Sequence, residues 1–137
     1  MTSSQAGNGG DIVVYHNPTC SNSRGVLERL HERGIEPCIV EYLREPPDRA
    51  TLSMLAEASG LGVRGLVRNK EPLYGELGLG AADKSDDALL DAMLAHPVLI
   101  NRPIVATPLG VRLCRPPDTV LEILPSDQLA ARHIEYV

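Results

Sequence analysis

The 137 residues predict an α/β fold with a small mixed sheet, made from an N-terminal βαβ unit and a C-terminal β-hairpin, with an extra helical segment between them. Three observations carry this. A β-branched run, Asp11-Ile-Val-Val-Tyr-His16, leads through residues at helical spacing into a second apolar run. The middle of the chain repeats helix starts and stops. Near the C-terminus two apolar runs flank Thr107-Pro108-Leu109-Gly110, a Pro/Gly hairpin turn.

The elements follow in order. Residues 1–10, small and polar without periodicity, are expected to be a flexible tail. The first strand stops at Asn17-Pro18, because proline cannot continue a ladder. From Cys20 to Arg33, Val26, Leu27, Leu30 and later Ile35 fall at helical spacing, closed by Gly34 as the residue after the C-cap. Pro37-Cys-Ile-Val-Glu-Tyr-Leu43 reads as a second strand, parallel to the first because a helix lies between them. Pro47-Asp48 begins a helix carrying Leu52, Leu55, Ala56 and Ser59, which Gly60 ends. Val63–Val67 holds one helical turn or two. Asp83-Lys-Ser-Asp-Asp87 caps a helix through Leu89, Leu90, Met93 and Leu94, with Pro97 just beyond. After the hairpin, Arg102–Cys114, Pro116-Pro117-Asp118 starts a last short helix, Val120–Leu124. With no repeat and no internal linker, residues 11–124 read as one domain and residues 125–137 as a C-terminal tail.

Composition narrows the function. At 43% hydrophobic and 23% charged the chain can bury a core. Thirteen basic against eighteen acidic residues give a net charge of −5, which argues against a nucleic-acid binder. No apolar run approaches the roughly 20 residues of a membrane span, and the N-terminus lacks the series of a signal peptide. A cytoplasmic protein without membrane attachment is expected. Three cysteines do not make a disulfide framework. Without Trp or Phe the core must be aliphatic, and aromatic base-stacking platforms are nearly excluded. Eleven of the thirteen basic residues are Arg, the side chain for forked hydrogen bonding to oxyanions. Between Asp91 and Asp118 there is no acidic residue, while Arg102, Arg112 and Arg115 fall there. That window is either a local anion site or a surface over which arginines snorkel.

Cys20 is the first candidate for chemistry. It sits where a strand has ended and a helix begins, and helix N-termini favour thiolates through free N–H groups and the dipole. Such positions lower a thiol pKa from about 8.5 to roughly 3.5–7.5. Ser23, three residues on, can turn its hydroxyl back to the sulfur. Arg24 lies one turn away, and His16 precedes the turn. Ser23 also stands where a dithiol oxidoreductase has its second cysteine, so an oxidised Cys20 needs a distant cysteine or an outside thiol. Cys38 and Cys114 read better as core residues. A cysteine phosphatase needs Cys-x5-Arg, but the sixth residue after Cys20 is Val26. His16, His31, His96 and His133 are scattered and the cysteines share no ligand spacing, so no metal site is expected.

The segment His16-Asn-Pro-Thr-Cys-Ser-Asn-Ser-Arg24 resembles the active-site segment of the glutaredoxin-dependent arsenate reductases, which have a thioredoxin-like fold. The resemblance continues in Glu45-Pro-Pro47, Val63-Arg-Gly-Leu-Val-Arg68, His96-Pro-Val-Leu-Ile-Asn-Arg-Pro-Ile-Val105 and Thr107-Pro-Leu-Gly-Val-Arg-Leu-Cys-Arg-Pro116. It covers about residues 11–124. It implies that Cys20 is the nucleophile, that Arg68, Arg102 and Arg115 bind the substrate oxyanion, and that His16 and Ser23 help hold the thiolate. It further implies that Pro103 is the cis-proline of the fold. Arg112 and Arg64 are left as solvated surface residues, Arg112 facing away from Arg115 by strand alternation.

The resemblance implies reduction of arsenate to arsenite, with glutathione as co-substrate, glutaredoxin as partner and no bound cofactor. Three other readings remain at this point. One is a redox-responsive regulator that binds RNA polymerase, against which Ser23 counts. Another is a general thiol oxidoreductase acting on protein disulfides, which needs no arginine triad. The third is a relative acting on another oxyanion.

Overall fold

The computed structural model describes residues 11–125; the tail expected at 1–10, and the one expected at 125–137 beyond its first residue, lie outside the described residues. The chain divides into two compact units, one made from the chain up to Glu41 and from Arg102 onward, the other from Tyr42–Asn101.

The first unit contains the sheet. Strand β1 (Val13–His16) leads through a tight loop into helix α1 (Ser21–His31), which returns to strand β2 (Cys38–Glu41). Strands β3 (Ile104–Thr107) and β4 (Gly110–Leu113) form the hairpin, followed by a 3₁₀ helix, Pro117–Ile123. The strand order is β2-β1-β3-β4, with β1 parallel to β2 and antiparallel to β3. Ile12, Val14, Val26, Leu30, Ile35, Val105, Val120, Ile123 and Leu124 bury one aliphatic cluster together with the thiol of Cys114. Gly34 closes α1 at φ +73°, where an L side chain is strained. Its N–H donates to the His31 carbonyl at 2.9 Å and that of Ile35 to the Leu30 carbonyl at 3.0 Å, satisfying the last free carbonyls. Without a Cβ at Gly25, α1 also comes close to the 3₁₀ helix: an added Cβ would lie 2.7 Å from Pro117 Cγ.

The second unit is helical. Helices α2 (Arg49–Ala58), α3 (Gly62–Leu66) and α5 (Asp86–Ala95) pack on one another. Leu52, Leu55, Leu66, Leu89, Met93 and Leu99 are buried there. Asp48 caps α2 by accepting from the Thr51 N–H at 2.8 Å, and Ser85 caps α5 by accepting from the Ala88 N–H at 3.1 Å.

Several expectations are corrected in detail. The first two strands are shorter than the apolar runs, because the ladder covers only Val13–His16 against Cys38–Glu41. β2 is an edge strand with Ile39 exposed. A short helix, α4 (Pro72–Glu76), stands where no element was expected; it begins on proline at a position needing no N–H donor. The last helix is 3₁₀. Arg64 is not simply solvated, since its guanidinium donates to the carbonyls of Leu79, Ala81 and Lys84. Arg112 pairs with Glu122 at 3.4 Å on the exposed side of β4. That strand ends at Leu113, so strand alternation does not extend to Arg115.

Candidate active site

Topology gathers the site at one end of the sheet. β1 runs toward that end and delivers Cys20 just beyond it. β3 is antiparallel to β1 and begins there, immediately after Arg102. β4 is antiparallel to β3 and ends there, immediately before Cys114 and Arg115. Arg102 and Arg115 therefore face one another across the open end of the hairpin, and the Arg115 guanidinium donates to the Arg102 carbonyl at 3.1 Å.

Cys20 is the N-cap residue of α1, with extended backbone at φ −95° and ψ 124° and no side-chain cap. Its N–H donates to the Asn17 carbonyl at 3.0 Å, and its carbonyl accepts the first helical N–H, from Arg24, at 3.0 Å. The amides ahead of that bond have no carbonyl to meet inside the helix. The thiol is 8% exposed, and the Arg115 guanidinium donates to Sγ at 3.9 Å. Burial opposes ionisation of Cys20. The amides of Ser23 and Asn22, the Ser23 hydroxyl and the Arg102 guanidinium act in the other direction and prevail, so the thiol lies below its ordinary pKa.

Ser23 is wholly buried, and its hydroxyl oxygen accepts the Asn17 N–H at 3.3 Å. His16 is 7% exposed, and its Nδ1 has no hydrogen-bond partner among the described residues. Burial lowers the pKa of His16; Glu41, its register partner on β2, raises it, and Arg24 lowers it, for a net lowering. The Arg24 guanidinium bonds the Pro18 carbonyl at 2.9 Å, clasping the loop from outside. The Arg102–Pro103 peptide bond is cis, as is Arg115–Pro116. Arg68 lies in the second unit, where its Nε pairs with Glu71 at 3.2 Å and its N–H donates to the Leu99 carbonyl at 2.7 Å.

Sequence reasoning passed over Asn17 as turn chemistry. It is a buried residue whose side-chain oxygen accepts from the Thr19 N–H at 3.0 Å and from Thr19 Oγ1 at 2.8 Å. The available signal was asparagine three residues before a cysteine that begins a helix.

The other cysteines differ in kind. Cys114 is fully buried, and burial, with Glu122 adding to it against Arg112, pushes its thiol up to about 12. Cys38 is half-buried on β2. Among the described residues no group of three or more His, Cys, Asp or Glu side chains is placed to hold a metal ion. No helix among them is long and apolar enough to cross a membrane.

The family model described as the ArsC family matches residues 15–123. The chain belongs to the ArsC family. An arsenate reductase of Rhizobium meliloti strain 1021 is 54% identical over 114 residues, covering 83% of this chain and 81% of the relative. One from Escherichia coli K12 is 52% identical over 121 residues, covering 88% of this chain and 86% of the relative. The solved structure of an arsenate reductase from Vibrio cholerae superposes with a TM-score of 0.80 at 49% identity, over 82% of this chain and 97% of that one. The mixed sheet with its helical middle segment is accordingly the thioredoxin-like fold of this ArsC structure.

Proposed function

We propose that this ArsC family chain is an arsenate reductase, with glutathione and glutaredoxin as reductants. The observation that carries the reading is a buried thiol at the start of α1, below its ordinary pKa, with a guanidinium 3.9 Å from the sulfur. Identity of 54% and 52% to arsenate reductases supplies the substrate.

The thiolate of Cys20 attacks arsenic, an As–S bond forms, and one arsenate oxygen leaves as water after taking up protons. Arg102 and Arg115 hold the remaining oxygens and the charge on them. Arg68 enters as the third oxyanion arginine on the family resemblance alone. The thiolate of glutathione then attacks Cys20 Sγ. The S–S bond forms as the As–S bond breaks, and the bonding pair stays on arsenic, reducing As(V) to As(III). Glutaredoxin, a thiol reductant, takes the glutathionyl group from Cys20 and restores the thiolate. Ser23 at the position of a resolving cysteine supports an external thiol for this last step. A cytosolic location, where thiols stay reduced, belongs to the same reading.

The test couples arsenate, glutathione, glutaredoxin and glutathione reductase to NADPH oxidation, with wild type beside Cys20→Ser. Arsenate-dependent turnover that disappears in the variant is the expected result. Turnover that persists without glutaredoxin overturns the electron route, and absence of arsenate-dependent turnover in folded wild type overturns the activity.

A further inference from the structure

The loop between β1 and α1 must hold Cys20 so that the free amides of the helix, and one hydroxyl, converge on its sulfur. Cys20 provides no side-chain cap of its own. Asn17, by contrast, takes part in four hydrogen bonds within this loop. Its carbonyl accepts from Cys20, its side-chain oxygen accepts twice from Thr19, and its N–H donates to the Ser23 hydroxyl oxygen. At 9% exposure for Asn17 and 0% for Ser23, little water is present to replace the bond between these two.

The bond to Ser23 has a directional consequence. A serine hydroxyl has two lone pairs and a single proton. The Asn17 N–H occupies a lone pair, which fixes the oxygen and leaves the proton to be donated elsewhere. The sulfur three residues back is the neighbour that gains from it.

We propose that Asn17 is the positioning residue of the nucleophile: its carboxamide oxygen locks the Thr19 turn and thereby holds the main-chain N–H of residue 17 on the Ser23 hydroxyl, so that the hydroxyl proton is directed at Cys20 Sγ. The proposal rests on Cys20 being the reacting thiol of the arsenate reductase reading, but its consequence appears without arsenate. Asn17 acts through its bonds to Thr19, Ser23 and the Cys20 N–H.

The experiment follows carbamidomethylation of Cys20 by iodoacetamide in the full chain across about pH 4 to 10, the range over which protein thiols titrate, read from the mass of the Cys20 peptide. In Asn17→Ala the midpoint rises by about half a pH unit, which lowers the rate at acid pH about threefold. Thr19→Val, a change at an exposed residue, moves the midpoint the same way by less, and Thr19→Ser restores it. Adding Thr19→Val to Asn17→Ala gives no further shift, and in a Ser23→Ala background Asn17→Ala loses at least half its effect. Superimposable profiles for wild type and folded Asn17→Ala overturn the proposal. Should Asn17→Ala fail to fold, the Thr19 pair decides: an unmoved midpoint in Thr19→Val, or one equally moved in Thr19→Ser, overturns it. A chain that shows the shifts yet does not reduce arsenate removes the arsenate reading and leaves Asn17 in this role.

Discussion

At the scale of single residues, three cysteines in one chain occupy three environments, which gives an order of reactivity. Iodoacetamide near neutral pH should modify Cys20 fastest in the native protein, since it holds more thiolate than an ordinary cysteine. Cys114, pushed up to about 12 and fully buried, should remain unmodified until the chain is denatured. Peptide mass mapping at timed intervals checks both statements, and early labelling of Cys114 would contradict the packing around it. In the proposed arsenate reaction, charge alone would not replace Arg102. In Arg102→Lys, kcat/KM for arsenate should fall about tenfold or more, because an ammonium cannot make two parallel bonds to an oxyanion. His16 gives a pH dependence opposite to that of a histidine held charged by an acidic partner. Its pKa is lower folded than unfolded, so as pH falls through about 6.5 the unfolded chain binds the proton first. Stability should therefore decline on the acid side of that value, and the decline should flatten in His16→Gln, measured by denaturant midpoints. In the sequence, residue type and position next to a turn mark Cys20 and Ser23, whereas the acid-free window offers Arg102, Arg112 and Arg115 together and only the family resemblance separates Arg102 and Arg115 from Arg112. Sequence could not show Asn17 or the backbone role of Arg64, whose partners depend on how distant carbonyls are turned.

At the scale of elements, the contact between α1 and the 3₁₀ helix after β4 has almost no slack. A methyl group at residue 25 meets the ring of Pro117 at 2.7 Å, and a proline ring cannot rotate away. Gly25→Ala should cost about 1–3 kcal/mol despite its favourable helix propensity, read as a lower denaturant midpoint. In the helical unit, Asp48→Ala removes the acceptor for the Thr51 N–H and should cost about 1 kcal/mol. Elements announced by local chemistry were legible: α1 by its spacing and Gly34, α2 by Asp48, and the hairpin by its Pro/Gly turn. Those whose signal is short or set by distant packing were not. Helix α4 spans five residues with none buried, so no apolar periodicity marks it. The exposure of β2 follows from its place at the sheet edge, which no local pattern fixes.

At the scale of the molecule, the central place of β1 could not be read from sequence, because its antiparallel partner lies about ninety residues downstream and the ladder is a long-range event. Once formed, that ladder should dominate protection. Amides of Val14 and Val105, in the two inner strands, should exchange with deuterium far more slowly than outward amides of β2, as measured by NMR. An outward β2 amide among the slowest would refute the strand order. The same interleaving bears on how the protein is made. During translation β1 and Cys20 leave the ribosome early, while the strand that pairs with β1 and the guanidinium that meets the sulfur follow only at residues 102 to 115. A growing chain thus offers Cys20 only the nearby amides and hydroxyl of α1, and the guanidinium side of its surroundings is added after synthesis has passed the hairpin.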